Sequence, residues 1–298
     1  SWCGVRFFNN NKFISILSIF RGITLLTQME KIKIAILGGG NIGTSLARGL
    51  INSGISDYDG ILVTDRRESR LRFLMDNGFR VTSDNREAAG FADLVILSVK
   101  PQQFKELSED IKGSFGNGKI IISTITGITF SDLEKHLGRK ELIRIMPNTA
   151  LELCESMTCI AFNNTDPETE QSVVSLFDRL GKTMIITEDL MSAATVIGAC
   201  GIAFALRFMR AMSQGGIEIG FNAEISQFIT AQTVKGAARL MLESSNHPEG
   251  EIDKVTTPQG ITISGLNEME HQGLSSAVIR GLTTSFNKLE NMLSGSGK

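Results

Sequence analysis

"KIAILGGGNIGTSLARGLINSG", residues 33–54, decides the fold. After Lys33 come four apolar residues with no polar face, the pattern of a strand buried on both sides. Three glycines stop it. Helical spacing follows in Ile42, Leu46, Leu50 and Ile51, with Gly54 placed as the C-cap. Gly38-x-Gly40-x-x-Gly43 therefore closes a strand and opens a helix, the context in which this spacing serves a dinucleotide. Gly38 makes the tight turn, Gly40 lets a pyrophosphate approach the backbone, and Gly43 lets helix and strand pack closely. The helix start adds free N–H groups and a positive dipole end for the phosphates.

Working outward, the same alternation repeats. "GILVTD" (60–65), "ADLVILSV" (92–99), "KIIISTI" (119–125), "ELIRIMP" (141–147), "MTCIAF" (157–162) and "KTMIITE" (182–188) read as strands, and "ESRLRFLMDNG" (68–78) as a helix. Strands alternating with helices predict an α/β fold, a doubly wound sheet over residues 29–188. After Glu188 the strand signals stop. Residues 190–214, 223–245 and 264–293 read as helices, broken at Gly215-Gly216 and His247-Pro248, so 189–298 form an all-helical domain. The uncharged stretch Leu190 to Leu206 is slightly short for a membrane span and reads as a helix buried inside protein. Residues 1–28 carry three basic residues and no acid; they are expected to be a disordered leader or upstream extension.

Composition narrows the function classes. The net charge of −2 provides no basic field for nucleic acid, and one Trp and one Tyr leave few rings for stacking bases. No membrane partner is expected either. Cys3, Cys154, Cys159 and Cys200 form no CxxC, and the three histidines are scattered, so no metal site is expected and a reducing, cytoplasmic location fits.

Four further strand ends carry turn residues. Asp65-Arg66-Arg67 follows the second strand, where an acid accepts the ribose hydroxyls of NAD and arginines suit the extra phosphate of NADP. At 4 Å and an effective dielectric of 20, an acid facing that phosphate would repel it by roughly 4 kcal/mol. "LSVKP" (97–101) places Val99 and Lys100 at the carboxyl edge, and "TITG" (124–127) and "MPNT" (146–149) end later strands similarly. Together they define a crevice.

No proton-transfer set is visible: no Ser/His/Asp group and no Cys/His pair. That favours hydride transfer to a substrate already activated, such as a protonated imine, with the cofactor carrying the chemistry. "TTPQGIT" (256–262) supplies hydroxyls and backbone N–H groups at a helix start, a receptor for a carboxylate, though a Ser/Thr cap needs no ligand.

With "IAILGGGNIG", "SVKP", "TGITFSDLEKHL", "RIMPNT", "QGGIEIGF", "SSNHPEGEI" and "TTPQGITISGL" in this order, the chain from about Lys31 onward resembles the pyrroline-5-carboxylate reductases. The resemblance implies an N-terminal Rossmann-like domain and a C-terminal helical dimerisation domain, with an active site shared across a homodimer and rings of dimers also occurring. It implies reduction of a cyclic imine carboxylate to L-proline with NAD(P)H, NADP(H) favoured and NAD(H) possible. Carried over by position, Leu37, Gly38, Gly40, Asn41, Ile42, Gly43, Asp65, Arg66, Arg67, Asn85, Val99, Lys100, Pro101, Ile125, Thr126 and Gly127 would bind the cofactor, and Asn148 would sit by the nicotinamide. Thr257, Gly260, Ile261 and Thr262 would hold the substrate carboxylate, with Thr262 near the imine nitrogen as the catalytic residue.

Two segments depart from the family pattern. "ACGIA" (199–203) has Cys200 and Ile202 where the family has serine and proline. Gln259 stands where the loop usually has glycine, which implies a backbone conformation that a side chain tolerates. Two alternatives remain open: another two-domain NAD(P)-dependent imine or hydroxyacid dehydrogenase, and a non-catalytic NADP-sensing protein. The absence of lysine from "VIGACGIAFAL" (196–206) argues against alcohol oxidation.

Overall fold

A computed structural model describes residues 5–6, 32–116 and 118–295. Of the expected leader, Val5–Arg6 form a short strand, β1; the rest of residues 1–28 lies outside the described residues. The chain divides into two compact units, Ser1–Ala199 and Cys200–Lys298.

The first unit is a nine-stranded sheet. Its strands are β1, β2 (Ile34–Leu37), β3 (Ile61–Thr64), β4 (Arg80–Thr82), β5 (Leu94–Leu97), β6 (Ile120–Ser123), β7 (Leu142–Met146), β8 (Ser156–Asn163) and β9 (Gly181–Ile186). Their order is β1-β9-β8-β7-β6-β5-β2-β3-β4. Strands β2 to β7 pair in parallel, β7 and β8 run antiparallel, and β8 and β9 are parallel again. The strand order reverses between β3 and β5 on either side of β2, which puts the crevice of an open α/β sheet at the carboxyl end of β2.

Alternation along each strand builds two cores. Ala35, Leu37, Val95, Leu97 and Ile121 face one side of the sheet, and Ile34, Ile36, Leu94, Ile96 and Ile122 the other. Helices cover both faces: α1 (Asn41–Asn52), α2 (Glu68–Asp76), α3 (Asn85–Phe91), α4 (Phe104–Ile111), α5 (Phe130–Leu137) and α6 (Pro167–Asp178). Each fully buried Leu or Ile in these cores contributes about 1.5–3 kcal/mol relative to exposure. Strand β4 has only three residues and half-exposed side chains, so no apolar run marks it in the sequence.

The second unit is wholly helical among its described residues: α8 (Gly201–Glu218), α9 (Ala223–Glu243), α10 (Pro248–Asp253), α11 (Ile261–His271) and α12 (Leu274–Leu293). A short α7 (Met191–Ala194) and a π-helical stretch, Thr195–Cys200, lead up to it. Two expected boundaries move. Gly215-Gly216 do not break a helix; α8 runs to Glu218 and stops at Gly220, φ +117. Gly216 serves packing instead: a Cβ there would lie 2.0 Å from the Ser226 Oγ on α9. The expected helix 264–293 starts at Ile261 and is interrupted at Gly273, φ +81.

The second unit has almost no core of its own. From residue 200 onward only Ser213, Ser226 and Thr230 are buried among the described residues, and none is apolar. Phe228 is 73% exposed, Leu242 77% and Ile219 79%. The expected burial of Leu190–Leu206 is met within the chain only at Met191 and Ala194 to Val196; from Ile197 on the segment is half-buried or exposed. The run Glu188–Glu218 is long and apolar enough to cross a membrane by length and composition, yet only 22% of its most apolar window is buried. Amphipathic helices that leave this much apolar surface uncovered require another surface against them.

Gly216→Ala is expected to lower stability by about 1–3 kcal/mol in urea denaturation, because overpacking against Ser226 outweighs the gain of about 1 kcal/mol in helix propensity. A more stable variant would show that α8 and α9 can separate without loss.

Candidate active site

The glycine loop is held from three sides. Gly38 takes φ +118, and its N–H donates to the Thr64 carbonyl at 3.1 Å. A Cβ on Gly38 would lie 2.3 Å from the Ser98 carbonyl, and one on Gly43 would lie 2.0 Å from the Gly38 carbonyl. A Cβ on Gly39 would meet Leu74 of α2 at 2.7 Å. Gly40 differs: nothing lies within 4 Å of its would-be Cβ. It is the N-cap of α1 and has no side-chain cap, so the first N–H groups of that helix are left for a ligand. This open cradle, uncapped amides beside empty space, fits a dinucleotide pyrophosphate.

A cleft of about 560 Å³ opens from the loop. Gly38, Gly40, Asp65, Arg66, Arg67, Asn85, Val99 and Lys100 line it, so the structure brings together residues from four strand ends. Other expected cofactor residues are not in its walls. Leu37 is fully buried, and its carbonyl accepts the Ser98 N–H at 2.8 Å; it supports the floor. Asn41, Ile42 and Gly43 form the first turn of α1, and Pro101 opens a 3₁₀ turn, Pro101–Gln103. Ile125, Thr126 and Gly127 follow β6, and Asn148 follows β7, on the same carboxyl edge.

Asn148 is buried, and its side chain is committed twice. Its Oδ1 accepts from the Ala150 N–H at 3.0 Å, and its Nδ2 donates to the Gly198 carbonyl at 3.1 Å within the π-helical stretch. Asn85 is likewise oriented: Thr64 Oγ1 donates to its Oδ1 at 2.7 Å, and its Nδ2 donates to Asp110 at 3.0 Å. Asp110, on α4, also lines the cleft; no local motif marks it in the sequence. Arg70 carries no such mark either, although it stands close behind the two expected arginines.

The second-strand tip resolves a choice the sequence leaves open. Asp65 is held by Arg67 through one guanidinium edge, Nε and Nη2 donating to its two carboxylate oxygens at 3.0 Å each, and by the Arg67 backbone N–H at 2.9 Å. Burial pushes the Asp65 carboxyl up, but the Arg67 hydrogen bonds and the charges of Arg67 and Arg70 outweigh it and hold the group below the usual range. Arg66 is exposed, with only a 4.0 Å approach to Glu106. The acid is thus neutralised in place, and one arginine stays available.

In the helical unit, the loop before α11 is a tight turn. Gly260 N–H donates to the Thr257 carbonyl at 2.9 Å, with Pro258 and Gln259 between. Gln259 takes φ +58, so the expectation of a conformation comfortable for a side chain is overturned. A proline followed by a residue at positive φ is the type II pattern, which the backbone closure imposes on whatever residue stands third. Gly260 is required by space: a Cβ would lie 2.4 Å from Thr257 Oγ1. Gly260 caps α11 without any side-chain hydrogen bond, and Thr256 bonds back to the Asp253 carbonyl. The threonines are therefore not helix caps. Exposed Thr257, Ile261 and Thr262 surround the helix start with free amides.

A larger hollow, about 730 Å³, lies at the amino ends of β6 and β7 between Lys119 and Arg139. Lys119 is already bonded to the carbonyls of Ala89, Gly90 and Ala92, and the hollow has no glycine cradle or strand-end turn. The glycine loop and the strand-end turns lie at the other edge.

Comparison with known proteins bears on both units. Residues 188–292 match the family model for pyrroline-5-carboxylate reductase dimerisation, and residues 33–127 that for NADP oxidoreductase, coenzyme F420-dependent. The chain is 44% identical over 273 residues to pyrroline-5-carboxylate reductase 2 of Dictyostelium discoideum, covering 86% of this chain and 91% of that protein. It is 42% identical over 272 residues to reductase 1 of the same organism, where the match spans 87% of this chain but only about half, 49%, of the relative. Among solved structures, a Plasmodium falciparum pyrroline carboxylate reductase with NADP bound superposes with a TM-score of 0.79 at 25% identity, over 89% of this chain and 99% of that one.

Two glycine variants separate folding from binding. Gly40→Ala should keep the wild-type melting temperature but lose roughly tenfold or more in dinucleotide affinity, since its Cβ enters the cradle. Gly38→Ala should lose about 1–3 kcal/mol of stability, since φ and space both exclude a side chain. Thermal melts with nucleotide titration check both; unchanged affinity in Gly40→Ala would move the phosphates elsewhere.

Proposed function

The chain belongs to the pyrroline-5-carboxylate reductase family, and we propose that it reduces 1-pyrroline-5-carboxylate to L-proline, the final step of proline synthesis, with the glycine-loop cleft taking the dinucleotide and the Thr257–Thr262 turn the substrate carboxylate. The observation that carries this reading is the open cradle at Gly40, next to a strand tip whose acid is already neutralised.

The bound dinucleotide supplies the hydride. The chain's own residues bind and orient. The uncapped start of α1 holds the pyrophosphate, and Arg66 takes the 2′-phosphate of NADP(H) while Arg67 keeps Asp65 from repelling it. NADP(H) is accordingly the favoured cofactor, with NAD(H) possible. Val99, Lys100 and Ile125 to Gly127 lie along the carboxyl edge on which the rest of the cofactor extends.

The substrate carboxylate sits on the amides at the start of α11. Gly260 allows the approach, Thr257 and Ile261 flank it, and the Thr262 hydroxyl reaches the imine nitrogen. A protonated imine carbon is electrophilic as it arrives, so Thr262 holds the nitrogen's proton in place and no stronger acid is needed. Asn148 acts at one remove: with its amide spent on Ala150 and Gly198, it fixes the backbone near the nicotinamide end.

Self-association completes the helical unit. The apolar faces of α8, α9 and α12 are covered by a second chain in a homodimer, which also answers for the apolar run Glu188–Glu218 without a bilayer. The Thr257–Thr262 turn then serves the cleft of the partner chain. The free thiols Cys154, Cys159 and Cys200 fit the reducing cytoplasm, and burial pushes the Cys159 thiol up, away from its reactive form.

NADPH oxidation on addition of 1-pyrroline-5-carboxylate tests the reading, with L-proline as the product expected. Thr262→Ala should raise KM for the imine by roughly tenfold while leaving the KM for NADPH within twofold. No turnover above background with either cofactor would remove the assignment, and unchanged kinetics in Thr262→Ala would remove the turn from the site.

A further inference from the structure

Arg70 lies in the first turn of α2, and its guanidinium does not point to solvent. Its Nε donates to the Gly39 carbonyl, and its Nη2 donates to Thr44 Oγ1 at 2.7 Å and to the Gly40 carbonyl at 3.3 Å. Thr44 Oγ1 in turn donates to the Gly39 carbonyl at 3.2 Å. These bonds close a ring: Arg70 to Thr44, Thr44 to Gly39, Gly39 back to Arg70. The guanidinium also lies over Phe73, 4.6 Å from the ring centre, a cation–π contact that adds to its restraint. Leu74 of the same helix fills the space beside Gly39.

The consequence is directional. A peptide whose carbonyl is held on one side presents its N–H on the other, and in this loop the carbonyls of two successive residues are held by one rigid cation. A glycine-rich loop has more accessible conformations than any other, so an unrestrained one would lose the most entropy on ordering around a ligand. We propose that Arg70 is a positioning residue for the cofactor: it clamps the carbonyl side of Gly39 and Gly40 so that the loop amides are already set for the dinucleotide pyrophosphate, without itself touching the 2′-phosphate. The proposal rests on the dinucleotide reading of this cleft and adds a residue that neither the glycine motif nor the strand tip contains.

Pyrophosphate is common to NADPH and NADH, and the 2′-phosphate is not. A clamp on the loop must therefore affect both cofactors alike. In the full-length protein, Arg70→Met is expected to raise the Kd of NADPH and of NADH by the same factor, roughly tenfold for the loss of charge-assisted bonds. The kcat at saturating NADPH should stay within twofold. Arg70→Lys, which keeps the charge but not the fork, should fall with Arg70→Met rather than with the wild type. Fluorescence titration giving both stoichiometry and Kd distinguishes this from partial unfolding, which lowers stoichiometry and leaves Kd unchanged. Unchanged affinity for both cofactors in the folded variant would overturn the clamp. So would a loss confined to NADPH, which would make Arg70 a ligand of the 2′-phosphate. Failure of the wild-type protein to bind either nucleotide would overturn the cofactor reading itself, and the clamp with it.

Discussion

Residues 200–295 fold into helices and turns yet bury no apolar side chain within the chain. The assembly of the helical unit follows from that constraint. Helix propensity alone does not hold helices of this length in water; packing of an apolar face does. With Phe228, Leu242 and Ile219 outside, the missing half of the core must come from another copy, and the match of residues 188–292 to a dimerisation domain identifies it. The Thr257–Thr262 turn sits between two of these helices. Its geometry is therefore only as firm as the association that orders them.

The first unit is built on the opposite principle. Its two cores cover both faces of the sheet, and hydrogen bonds within the chain hold the glycine loop and the strand tips beside it. The glycines there are fixed by distinct causes. Gly38 and Gly43 are forced by contact with backbone and Gly39 by Leu74, whereas Gly40, alone of these four, faces open space, which is why the proposed ligand is placed there. Arg67 and Arg70 divide the work on either side: one neutralises Asp65, the other restrains the loop. In the proposed reaction the cleft holds the dinucleotide and the turn the substrate, and what the chemistry then needs is alignment rather than a protein acid.

Much of this is legible in the sequence. The apolar runs at 34–37, 94–97 and 120–123 are strands because every residue in them is buried or nearly so, and such runs leave a plain signal. The roles of Gly38, Gly40 and Gly43 follow from spacing because one covalent geometry requires all three. What escapes is set by partners distant in sequence. Gly215-Gly216 look like a helix break, but Gly216 answers to Ser226 on the next helix. Gln259 adopts a glycine's conformation because the Thr257–Gly260 closure demands it. Arg70 looks like one charge among several, and only the fold sets it against Gly39. Asp110 reaches Asn85 across twenty-five positions, and no local pattern carries that.

The central claim is that the cleft of one chain works with the turn of another. Hybrid dimers measure it directly. One chain carries Gly40→Val, which fills the cofactor cradle, and the other carries Thr262→Ala together with Gly260→Ala, which spoils the substrate turn. Each homodimer should be nearly inactive. In the purified hybrid, a shared arrangement leaves one site doubly damaged and one intact, so activity should return to roughly half that of the wild type. A hybrid no more active than the two parent variants would mean that each site is made by a single chain, and that the helical unit does not lend its turn to a neighbour.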